Sequence, residues 1–238
     1  MNPETSISPA EKISRLLQKH ASEIHPVLDL DLNAPNVTKL DLGENNHLLT
    51  LENLQDTSRF EKVIHQILAE NKAKVGIGGY LENRVIYRRS PHFNATDEPR
   101  SIHLGVDIWA PAGMHVYAPL EATVHSFFNN NNFGDYGPTI ILQHELEGHK
   151  FYTLYGHLDV ACLQDLYDGK PVAKGQRIAA FGPYPENGDW PPHLHFQIIA
   201  DMEGKRGDYS GVCKPSLMAH YASLCPNPNL ILQSRHLA

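Results

Sequence analysis

A chain of 238 residues with 41% hydrophobic and 20% charged residues can bury one sizeable core, which excludes a disordered polymer. Its formal charge of -7 comes without a basic stripe, which argues against nucleic acid or an anionic wall polymer as a partner held by bulk electrostatics. No stretch approaches the roughly 18 apolar residues of a spanning helix, so no membrane span is expected.

Along the chain, Met1 to Pro26 mixes Glu4, Glu11 and Glu23 with Lys12 and Lys19 and has no apolar run, so it does not read as a signal peptide. Cytoplasmic placement follows from the sequence as written, with periplasmic or extracellular placement left open. Ser8-Pro9-Ala10-Glu11 carries a helix start, and Ile13, Leu16 and Leu17 continue it to about His20. Val27 to Leu51 reads as short extended pieces. An apolar stripe of Phe60, Val63, Ile64, Ile67 and Leu68 predicts a second helix over 58–71. Near Lys74 the texture changes, which divides the chain into a helical and extended segment at 1–73 and a β-rich domain at 74–238.

Within that domain, strands are expected at Val116 to Ser126, Thr139 to His144, Phe151 to Tyr155 and His193 to Ile199. Gly148 marks a hairpin connection, and Asn129 to Gly137 an Asn- and Gly-rich loop. Val116 to Pro119 and Pro171 to Gly175 hint at two related halves. Short strands at this spacing predict a mainly β, antiparallel sandwich or barrel with a small N-terminal α-containing extension. The three cysteines, Cys162, Cys213 and Cys225, have no CxxC spacing, so they read as reduced thiols rather than a disulfide or zinc-knuckle framework.

The unusual residue is histidine, with 15 copies. In His103-Leu104-Gly105-Val106-Asp107 the two polar side chains share one face of either a helix or a strand, and Gly105 favours a strand. Taken alone, this pentapeptide also fits a surface His and a strand-end Asp. In His193-Leu194-His195 a strand sends both imidazoles to one face, where apolar Phe196 and Ile198 indicate partial burial. His157, in Tyr155-Gly156-His157-Leu158, ends a strand. Zinc takes imidazole nitrogen and carboxylate oxygen, and a catalytic zinc keeps three protein ligands and one open position.

Together the segments SIHLGVDIWAPAGMHVYAP, FYTLYGHL, GKPVAKGQRIAAFG and PPHLHFQI resemble the successive signatures of the M23 metallopeptidase family, of LytM-like (duplicated hybrid motif) type, over about residues 100 to 200. The resemblance implies a Zn2+ ion on His103, Asp107 and His195, with His157 and His193 as catalytic histidines. It also implies an antiparallel β fold with a substrate groove above one sheet, and a peptide substrate such as the cross-bridges of peptidoglycan. Ala122 departs from the family's usual Gly at a turn. ENGDWPPHLHFQII, GDYSGV and LCPNPNLIL further resemble M23-like domains fused to class III aminotransferases and kinase-like modules.

Two other readings stay open: a catalytically silent, metal-binding regulatory domain of the same family, and a carrier domain modified at Lys174. His144 to His149 imitates an H-E-x-x-H motif, but its second histidine comes one residue late and Gly148 opposes a helix. His115 and His125 are expected to be solvated sheet residues. Tyr80, Asn83, Tyr87 and Arg88 could line a groove, although an exposed edge is the reading preferred for each.

Overall fold

A computed structural model describes residues 7–94 and 97–237. Ser8 caps α1 (Pro9–Lys19), its hydroxyl accepting from the Glu11 N–H at 3.1 Å, and buried Ala10, Ile13 and Leu17 face the core. Residues 27 to 50 are largely irregular, with a single short strand, β1 (Val37–Lys39). Two helices follow, α2 (Leu51–Gln55) and α3 (Thr57–Glu70). Asp56 caps α3, and the apolar stripe seen in the sequence is its buried face.

The β elements are β2 (Val75–Gly78), β3 (Ile102–His103), β4 (Val106–Trp109), β5 (His115–Tyr117), β6 (Ala122–Asn130), β7 (Gly137–Leu146), β8 (His149–Gly156), β9 (Pro171–Val172), β10 (Arg177–Ala180), β11 (His193–Ile199) and β12 (Val212–Cys213). Eight of them form one open sheet in the order β1-β2-β4-β11-β8-β7-β6-β9. The pairs β5–β10 and β3–β12 form two small sheets. The molecule is therefore mainly β, as expected, but it is not closed into a barrel. The β1–β2 pair is also parallel, joining the N-terminal segment to the edge of an otherwise antiparallel sheet.

The β-rich stretch Val116 to Ser126 belongs to two strands, because Pro119 and the turn after it carry the chain from β5 to β6. Glu147 and Gly148, with φ of 50° and 77°, make the tight β7–β8 turn that a two-residue hairpin requires.

The main core lies on one face of the large sheet and holds Val106, Ile108, Ile140, Leu142, Phe151, Leu194, Phe196 and Ile198. A second cluster, around Phe60, Trp109 and Trp190, packs α3 against the sheet end that carries the polar residues described below.

His144 sits in β7, within the strand expected over Thr139 to His144, and is 2% exposed. Its Nδ1–H donates to the Glu121 carbonyl at 3.0 Å, and Nε2 pairs with the Thr153 hydroxyl at 2.8 Å. Burial pushes its pKa down to about 4. Above pH 6.5 both folded and unfolded states are neutral there. Between 6.5 and about 4 only the unfolded chain gains the proton, so stability falls as the pH falls. Between pH 7 and 4.5, urea unfolding is expected to show a loss in the parent about 2 kcal/mol larger than in His144→Gln. Equal slopes for the two would show that His144 is not the group responsible.

Candidate metal centre

Three strands and one strand end gather the polar residues. β4 and β8 flank β11 on its two sides. The register sets His195 opposite Asp107 on one neighbour and opposite Gly156 on the other, with His193 opposite Trp109. His157 follows Gly156 directly and has φ of 62°. This left-handed conformation turns the chain sharply at the strand end and is uncommon for a residue with a Cβ. Leu194 points to the other face and is fully buried in the main core.

The sequence pentapeptide is not one continuous strand: His103 ends β3 and Asp107 lies in β4, with Leu104 and Gly105 between them. Gly105 is required by close approach. A Cβ there would stand 2.6 Å from His195 Cε1 and 2.8 Å from the Phe196 carbonyl oxygen.

All five expected residues are buried: His103 0%, His193 2%, Asp107 and His195 3%, and His157 6% exposed. The reading of a surface His103 therefore does not describe this chain, and the burial expected at 193 and 195 is nearly complete. Among the described residues, His103, Asp107 and His195 are a group that could hold a metal ion. His103 Nε2 lies 2.9 Å from His195 Nδ1 and 3.2 Å from Asp107 Oδ1, and His195 Nδ1 lies 3.1 Å from the same oxygen. Adjacent corners of a tetrahedral zinc site stand about 3.3 Å apart when the metal–ligand distance is about 2.0–2.1 Å. The triangle thus needs to open by only a few tenths of an ångström.

The outer hydrogen bonds set the chemistry of this triangle. His103 Nδ1–H donates to the Gly79 carbonyl at 3.1 Å. His195 Nε2–H donates to Gln197 Oε1 at 2.9 Å, while the Gln197 amide donates to the Ser210 carbonyl at 3.2 Å and to Cys225 Sγ. Both imidazoles are thereby fixed with a bare nitrogen facing inward. Two lone pairs and a carboxylate oxygen converge with no proton between them, an arrangement that repels unless a cation sits there. The donor set fits zinc.

Arg84, fully buried, bonds through Nη1 to Asp107 Oδ2 and through Nε to Glu82 Oε2 at 2.6 Å. Burial works against the Asp107 carboxylate, yet its contacts with His103 and the Arg84 guanidinium hold its pKa well below the usual range. Burial, and then the Arg84 charge, press the His103 pKa to about 3. At neutral pH Asp107 is therefore a carboxylate and the His103 ring is neutral.

His157 and His193 stand beside the triangle with ring centroids 4.1 Å apart. His157 Nδ1–H donates to the Asn187 carbonyl and His193 Nδ1–H to the Pro191 carbonyl, each at 2.8 Å. Their Nε2 atoms are left free as acceptors. His193 is stacked on Trp109 at 4.0 Å and 14°. Burial lowers the pKa of both, that of His193 to about 4.

Several participants carry no signal at motif spacing. Arg84, Asn187 and Tyr136 act through contacts that span tens of residues of sequence, while Gln197 meets His195 at a spacing of two along β11. Tyr136 reaches within 3.3 Å of His195 Nε2 because residue 211 is glycine; a Cβ there would lie 1.8 Å from the Tyr136 oxygen. Tyr87 is not an exposed edge residue but is 6% exposed, with its ring 6.4 Å from that of His103. Tyr80 is half-buried, while Asn83 and Arg88 are exposed. His115 is exposed as expected. His125 is half-buried against Tyr152 at 4.9 Å. Lys174 stands in an exposed turn between β9 and β10.

The sheet thus gathers two imidazoles and a carboxylate in a triangle that could hold a metal ion, with two further imidazoles beside it. Residues 101–208 match the model of Peptidase family M23. No curated protein matches the chain. Among solved structures it is similar to Csd3 of Helicobacter pylori, with 27% identity over 50% of this chain and 26% of that one, at a TM-score of 0.32. It is also similar to the catalytic domain of the antimicrobial peptidase lysostaphin from Staphylococcus simulans, with 24% identity over 56% and 81% and a TM-score of 0.38. A third is a complex of SpoIIIAH and SpoIIQ, with 20% identity over 60% and 91% and a TM-score of 0.37. The chain thus spans about a quarter of the Csd3 chain. No helix among the described residues is long and apolar enough to cross a membrane.

Proposed function

We propose that this chain is a zinc-dependent peptidase that hydrolyses a peptide bond of the kind found in peptidoglycan. His103, Asp107 and His195 are the metal ligands of this reading, and His157 and His193 its catalytic groups. The observation that carries it is the convergence of two imidazole lone pairs and a carboxylate, each held in that state by its own hydrogen bond or ion pair. A zinc ion in such a set lowers the pKa of its bound water towards about 7 and polarises a carbonyl.

The chain's own residues supply the rest. The free Nε2 atoms of His157 and His193 face the pocket as neutral acceptors, because each Nδ1 proton is already given to a carbonyl. One of them accepts the proton of the attacking water and returns it to the leaving amine, while the other, also a neutral acceptor, positions that water or the amine by accepting its O–H or N–H. Trp109 and Trp190 keep bulk water off the pair. The presence of both imidazoles favours turnover over a silent regulatory domain, which would need neither.

Elemental analysis of purified protein tests the metal assignment. About one zinc per chain is expected in the parent and essentially none in His195→Ala, which removes one of three protein ligands. Equal zinc content in both would sink the ligand assignment.

A further inference from the structure

The five site residues are no more than 6% exposed, which is unusual for a centre that must meet a polymer. The metal centre opens onto a cavity of about 110 Å³ lined by Tyr87, Phe93, Tyr136, Trp190 and Val212 together with the site imidazoles. An engineered cavity of about 150 Å³ holds one benzene, so this space suits about one small side chain. It is equivalent to a sphere about 6 Å across, whereas an extended hexapeptide needs a trough about 20 Å long.

One wall comes from residues that precede the M23 match. It consists of a 3₁₀ turn, Ile86–Arg89, and a short helix, α4 (Pro91–Asn94). Tyr87 and Phe93 pack at 4.7 Å within it, and Tyr87 meets Trp190 edge to face at 6.3 Å.

This wall is bolted in place. The buried Arg89 guanidinium lies 4.8 Å from the Phe133 and Trp190 ring centroids and 5.7 Å from that of Phe60. Its Nη2 donates to the Thr57 hydroxyl at 2.7 Å, at the start of α3. The Ser90 hydroxyl donates to the Phe133 carbonyl at 2.8 Å, which closes the wall against the loop before β7. The N-terminal segment thereby buttresses a fixed wall, and nothing in these contacts resembles a hinged lid.

We infer that the wall formed by Tyr87 and Phe93 restricts the site to short peptides or chain ends, so that internal bonds of a polymer are excluded. The inference rests on the metal-centre reading above. Its physical basis is steric: a chain continuing past the metal on both sides would have to displace aromatic rings held by the Arg89 clamp.

The test uses cobalt(II)-loaded full-length protein, followed by its visible absorption. Two phosphinate analogues are titrated, a Gly-Gly pseudodipeptide and a hexaglycine carrying the same phosphinate at its centre. The dipeptide analogue is expected to bind at least about tenfold more tightly, a difference of about 1.4 kcal/mol. The preference is expected to shrink in Phe93→Ala, or in Phe93→Leu should the alanine variant not fold. Equal or tighter binding of the central-phosphinate hexamer by the parent, or binding of neither analogue, would overturn the inference. A protein that takes up no cobalt at all shows by its missing spectrum that the metal-centre reading has failed, and the inference falls with it.

Discussion

Replacing His157 with Ala is expected to leave about one zinc per chain while lowering kcat/KM for peptide hydrolysis by about 10²–10⁴-fold, the usual worth of a placed acid or base. The separation is possible because His157 lies outside the donor triangle. Its Nδ1 is spent on the Asn187 carbonyl, and its ring lines the pocket. Removing the ring leaves the hydrogen bonds that orient His103 and His195 untouched. His193→Ala should lose activity similarly, with an added stability cost because its ring is stacked on Trp109. Zinc content and steady-state kinetics on the same preparations check both. Full activity in His157→Ala would remove it from the chemistry.

Arg84→Met is expected to destabilise the metal-free protein by about 3–5 kcal/mol, since it strips the counter-charge from a buried carboxylate. Asp107 is 3% exposed, and its Oδ2 is engaged by Arg84. In the variant that carboxylate keeps the imidazoles of His103 and His195 as its neighbours. Added zinc should then recover part of the loss, because an ion bound to the folded state alone stabilises it by mass action and supplies the missing positive charge. Urea unfolding with and without zinc reads both effects. A variant as stable as the parent without metal would mean that the ion pair does not hold Asp107.

The helices and strands that carry the site were legible because their signals are local. Ser8 before Pro9, the apolar stripe from Phe60 to Leu68, and the alternation through His193, Leu194 and His195 each act within a turn or a pleat. The split of the Val116 to Ser126 run at Pro119 was less legible, because residue types rich in β propensity flank the break on both sides.

By itself the sequence determined the donor inventory: which imidazoles and which carboxylate exist, and that His193 and His195 share a face. Only the tertiary structure decided what surrounds them. Arg84 meets Asp107 across 23 residues, Gln197 orients His195 while held by Cys225, and Phe60 and Thr57 brace a wall over a pocket lined by residues later in the chain. The physical reason is range. Strand periodicity and capping are fixed by neighbours a few residues away, whereas burial and counter-charge depend on which distant segments pack together, and no spacing rule encodes that.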